Sequence, residues 1–77
     1  MASDSQMSVE EMTVEAQARY RRAVEAGWSK DRAVEEVARF LRDQKNVATV
    51  KVLGPDSVRV VFTDGNDLVM FLSKGRL

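Results

Sequence analysis

Few residues in this chain have the capacity for chemistry. Its 77 residues include no His and no Cys. The side chain that titrates near neutral pH and the strongest neutral-pH nucleophile are therefore both missing, as are two common metal ligands. Two carboxylates, Asp64 and Asp67, flank Gly65-Asn66. A turn tip offers no burial to raise a carboxylate pKa for acid–base work, so both are expected to serve turn geometry. The same stretch is rich in oxygen, but it lacks the twelve-residue loop and distant Glu of an EF-hand. Gly27, Gly54, Gly65 and Gly75 are isolated from one another and form no phosphate-cradling loop. The expectation is a protein with no catalytic residues, no cofactor and no bound metal.

The other chemically suggestive stretch is Arg19-Tyr20-Arg21-Arg22. Arginines beside an aromatic ring can contact phosphates and stack a base, so Arg19, Arg21 and Arg22 carry the alternative reading of a small nucleic-acid-associated regulator. The leading reading is a solvated, ion-paired helix face. Glu15–Arg19, Arg21–Glu25, Glu35–Arg39 and Arg39–Asp43 are each four residues apart, which sets opposite charges on adjacent turns. The whole chain balances 12 Lys and Arg against 12 Asp and Glu, whereas nucleic-acid binders carry a basic excess. Nucleic acid is thus not the expected partner.

The elements that position these residues follow from periodicity. Residues 1–7 are small and polar and should form a disordered tail, leaving 8–77 as a single domain. Ser8 and Glu11 have the spacing of a capping box. Met12, Ala16, Tyr20, Ala23 and Val24 recur on one helical face, and Gly27 suits the left-handed residue beyond a helix end. These signals predict a helix over 9–26. Ser29 is a second N-cap, and Ala33, Val34, Val37, Ala38 and Leu41, with Phe40 at the edge, predict a helix over 30–44. The short link requires a helical hairpin. Trp28, just past the first helix, is expected to plug the gap between hairpin tip and sheet.

After Asn46 the period changes from helical to alternating. Val47–Leu53, Val58–Thr63 and Leu68–Ser73 read as strands, separated by turns at Gly54-Pro55-Asp56-Ser57 and Asp64-Gly65-Asn66. A three-residue loop, Thr63-Asp64-Gly65, with Gly65 at positive φ, would put Val60 opposite Leu68 and Val58 opposite Met70. The fold class is therefore α+β: a two-helix hairpin followed by a three-stranded antiparallel meander, in ααβββ order. The helices should cover the even-numbered face: Val50, Val52, Val58, Val60, Phe62, Leu68, Met70 and Leu72.

The opposite face holds the expected binding site. A sheet covered on one side should be polar on the other, yet Leu53, Val61, Val69 and Phe71 fall there, beside Thr49, Lys51 and Arg59. Either the tail Lys74–Leu77 folds back over them or they meet another chain. A domain this small gains little from its own core, and zero net charge removes the self-repulsion that opposes association. The sequence therefore favours a non-enzymatic protein–protein interaction or assembly module. It would be homodimeric through the outer face or a strand edge, or else the N-terminal adaptor of a longer protein. Val61, Val69 and Phe71 would make the contact, with Lys51 and Arg59 as a polar rim. No membrane-spanning run and no signal-peptide pattern is present, so a cytoplasmic location is expected.

Overall fold

The computed structural model describes residues 7–73. Two helices, α1 (Val9–Glu25) and α2 (Lys30–Arg42), precede three strands, β1 (Val47–Gly54), β2 (Ser57–Phe62) and β3 (Asp67–Phe71). The strands form one antiparallel sheet in the order β1-β2-β3, so the chain is an α+β domain of ααβββ order. The tail expected at residues 1–6 and the return of Lys74–Leu77 lie outside the described residues. Met7, grouped with the tail by composition, packs against the core.

Local chemistry accounts for the helix ends. The Ser8 hydroxyl accepts from the Glu11 N–H at 3.1 Å, and the Glu11 carboxylate accepts from the Ser8 N–H at 3.0 Å, completing the capping box. Met7 and Met12 then stand at the two positions of a hydrophobic staple. At the other end, Gly27 takes φ +99. The Trp28 N–H reaches the Ala23 carbonyl and the Gly27 N–H the Val24 carbonyl, both at 3.0 Å, which is a Schellman closure. Ser29 caps α2 by accepting from the Arg32 N–H at 3.2 Å. The helix stops at Arg42, two residues short of the expected end, because Asp43 already forms its C-cap.

Trp28 does not fill the expected structural role. It is 37% exposed, and its ring lies under the Arg32 guanidinium, 4.7 Å from carbon to ring centroid. The Schellman turn uses only its backbone N–H, so the ring is free to leave the core and stack on the next helix. The core closes without it, from Met12, Ala16 and Tyr20 of α1, Ala33, Val34, Val37, Ala38 and Leu41 of α2, and the inner sheet face. The layers are unequal: α2 lies on β1 and β2, whereas α1 packs mainly on α2.

The β2–β3 register pairs Val58 with Met70 and Val60 with Leu68, as expected. The Phe62 N–H donates to the Asn66 carbonyl at 2.8 Å, and the Gly65 N–H donates to the Phe62 carbonyl at 3.0 Å. Together they close the three-residue loop, with Gly65 at φ +94. One departure lies in β1. Val47 is buried although its odd number assigns it to the outer face. Val47 pairs with Phe62 and Thr49 with Val61, so Ala48 is an extra, bulged residue that reverses the alternation.

Tyr20 ties the helical layer to the first turn of the sheet. Its ring is buried, and its hydroxyl donates to the Pro55 carbonyl at 3.1 Å. Burial, and secondarily the negative charge of Asp56, raise its pKa above the usual 10.0. The unfolded chain then ionises first and the folded state holds the proton longer. Stability should be constant below pH 10 with respect to this group and fall as pH rises from there through the folded pKa. Tyr20→Phe should cost about 1 kcal/mol at neutral pH and flatten that alkaline decline. Urea titrations of both proteins across alkaline pH, followed by circular dichroism, check both effects, and tyrosinate absorbance of the wild type reports ionisation of its single Tyr. An equally steep decline in Tyr20→Phe would show that another group causes it.

Candidate functional site

The outer sheet face is assembled from three rows. Thr49, Val61 and Asp67 form one, Lys51, Arg59 and Val69 the next, and Ser57 and Phe71 the last. Leu53 stands beside the last row, where a second irregularity in β1 shifts the register. Phe71 is 53% exposed, Leu53 50% and Val69 39%, while Val61 is half-buried among its neighbours. Both helices lie on the other face, so the predicted contact residues Val61, Val69, Phe71, Lys51 and Arg59 do share one surface. A shallow depression lies over β1 and β2, lined by Thr49, Lys51, Arg59 and Val61.

The electrostatics of this face are uneven. Lys51 and Arg59 are directly opposite on neighbouring strands, an arrangement that costs stability when the charges are alike. Arg59 turns toward β3, where its Nε donates to Asp67 Oδ2 at 2.8 Å and its Nη2 bonds the same oxygen. Asp67 is thus a diagonal cross-strand partner as well as a turn residue. Lys51 forms no ion pair among the described residues. Asp64 behaves as turn chemistry requires, with its two carboxylate oxygens accepting from the Asn66 N–H and side-chain amide, both at 3.1 Å.

The strand edges are less open than the face. The hydrogen bonds Leu72 N–H to Asp56 and Phe62 N–H to Asn66 set the phase of the ladder, so odd-numbered β3 residues and even-numbered β1 residues direct their backbone groups outward. The Gln17 side chain of α1 donates to the Phe71 carbonyl at 3.1 Å. On the other edge, Arg42 of α2 donates to the Val50 carbonyl at 3.2 Å. Each helix thereby occupies one outward carbonyl of an edge strand, which restrains edge-to-edge pairing.

The alternative arginine cluster is dispersed. Arg19 pairs with Glu15 at 2.9 Å, and its guanidinium lies 4.2 Å from the Phe40 ring centroid. Arg22 approaches the same carboxylate at 3.8 Å, leaving Arg21 exposed without an ion pair among the described residues. Of the four helical pairs expected from spacing, Glu15–Arg19 closes and the other three do not. Tyr20, which would have to stack a base, is buried.

Among the described residues, no group of three or more His, Cys, Asp or Glu converges where a metal ion could sit. A second depression, lined in part by Val9, Asn46, Thr63 and Asn66, lies beside the β2–β3 turn. There the buried Asn46 Oδ1 is left without a hydrogen-bond partner. Among the described residues no helix is long and apolar enough to cross a membrane. No protein-family model matches the chain, and no curated protein sequence or solved structure matches it. A functional reading therefore rests on the geometry of the outer face.

Proposed function

We propose that this chain is a non-enzymatic protein–protein interaction module that docks through the outer face of its sheet. Val61, Val69 and Phe71 supply the apolar contact, and Lys51 and Arg59 supply the polar rim. The supporting observation is that all three strands direct apolar side chains, with Leu53 the one from β1, onto a face that neither helix covers. A lone exposed apolar residue needs no explanation, but a contiguous set on one face does. The edges, each with a helix side chain on an outward carbonyl, are the weaker site. A second copy is the first partner to consider, and the module fits a cytoplasmic setting.

The test separates a docking surface from a core. Val69→Asp places a carboxylate opposite Arg59, and Phe71→Asp places one at the end of β3. Each should change the stability of the isolated subunit by no more than about 1 kcal/mol in urea titration. A loss of several kcal/mol from either would mark the face as core and defeat the proposal.

A further inference from the structure

A partner for this face must answer two features at once, an apolar surface and a pair of adjacent cations, Lys51 and Arg59, of which Arg59 is paired with Asp67. The same chain carries a surface of that complementary chemistry. Met7, just before α1, and Glu10, Glu11, Val14 and Glu15 on its N-terminal half line a shallow depression. Val14 is 66% exposed, more than any other large hydrophobic side chain among the described residues. Glu15 is engaged by Arg19 and Arg22. Glu10 has no ion-pair partner among the described residues, and Glu11 meets only the backbone of Ser8. This patch is apolar at its centre and negative at its rim, whereas the sheet face is apolar and positive.

We infer that the outer sheet face of one copy receives the α1 patch of a second copy. The inference rests on the docking role proposed above and names its occupant. Val14 seats against Val61 and Val69, and Glu10 and Glu11 lie against Lys51, which has no ion-pair partner among the described residues. Within a subunit the two patches cannot meet, because Val14 lies on the side of α1 turned from the core and the sheet face is the far side of the other layer. After the first contact the pair keeps one free sheet face, on one copy, and one free α1 patch, on the other. The assembly is heterologous, so it grows past two copies, into a ring or an open chain according to the rotation at each contact, rather than stopping at a dimer. The sheet face spans about 14 Å by about 17 Å, small beside stable interfaces, so growth is weak, concentration-dependent and reduced by salt.

Two variants test the arrangement. Lys51→Glu removes the cation from the sheet face and sets opposite charges across β1 and β2, which favours the monomer fold. Val14→Lys reverses the α1 patch at an exposed helical position. Sedimentation velocity of the wild type should show mass rising beyond two subunits with concentration and falling with salt. Each variant alone should associate more than about tenfold more weakly. An equimolar mixture should form a one-to-one complex, since the intact α1 patch of Lys51→Glu can seat on the intact sheet of Val14→Lys. A wild type that stays monomeric, or that stops at a dimer, overturns the inference. So does either variant assembling alone like the wild type, or a mixture that gains nothing. None of these outcomes touches the stability test of the face itself, so failure of the occupant and failure of the docking surface remain distinct.

Discussion

Val60→Lys should leave the chain largely unfolded at neutral pH, whereas Val61→Lys, one residue along the same strand, should leave it folded. Val60 is fully buried between the sheet and the helices. A Lys there must shed its charge or carry it into the core. Burial lowers a Lys pKa by up to about 5 units, and holding it neutral at pH 7 costs about 1.4 kcal/mol for each unit between its ordinary pKa of about 10.4 and 7. Loss of the packed Val adds a further 1 to 3 kcal/mol or so through overpacking. A domain of this size has roughly 4 to 12 kcal/mol in total, so the sum is decisive. Val61 points to the outer face and pairs across the strands with Asp67, where a Lys gains an opposite charge worth a few tenths of a kcal/mol. Circular dichroism at neutral pH separates the two outcomes. The depressed folded-state pKa implies one more effect. The unfolded Val60→Lys chain binds more protons, so its fold should recover in part as pH rises toward about 10. Equal losses in the two variants would mean that the sheet is covered on both sides.

That contrast depends on a parity that was legible in the residues themselves. The alternation through Val58, Val60 and Phe62, followed by Asp64-Gly65, specified both the hairpin loop and the inner face, because only one loop length puts Gly65 at positive φ and keeps the apolar set on one side. The helices were equally legible, since Ser8, Glu11, Gly27 and Ser29 act through local hydrogen bonds that depend on little beyond neighbouring residues. The departures arise from contacts that residue type and periodicity do not show. The bulge at Ala48 cannot be seen in β-branched composition, and it alone brings Val47 to the core. The position of Trp28 just past the Gly that ends α1 suits a core plug, but a Schellman turn needs its N–H rather than its ring, and Arg32 one turn along α2 offers the ring another surface. The Arg59–Asp67 pair joins residues whose adjacency exists only after β3 folds back on β2. The outer-face residues were found because that face breaks the expected alternation. The acidic patch around Val14 was missed because a lone exposed Val on a helix breaks no pattern, and its significance depends on the charge of a face in the other layer.

Leu41→Ala should lower the melting temperature by roughly 10 to 30 °C, the shift produced by losing about 2 to 5 kcal/mol in a domain this small. Leu41 is fully buried in the last turn of α2, next to the Arg42 that hydrogen-bonds the Val50 carbonyl of β1. Removing its isopropyl end leaves a cavity at the seam between α2 and the sheet, and α1 gives little independent support because it packs mainly on α2. Loosening α2 therefore loosens both helices, and unfolding should remain one cooperative transition in circular dichroism rather than an early loss of α1. Core and docking face can then be read apart in the same melts. If copies associate in the native state alone, the wild-type melting temperature rises with protein concentration. Leu41→Ala leaves the outer face intact and should keep that rise at a lower baseline. Val69→Asp should keep the baseline and lose the rise. A concentration dependence that survives in Val69→Asp would place the interface away from the outer sheet face, which would then be an uncovered surface with no partner to explain it.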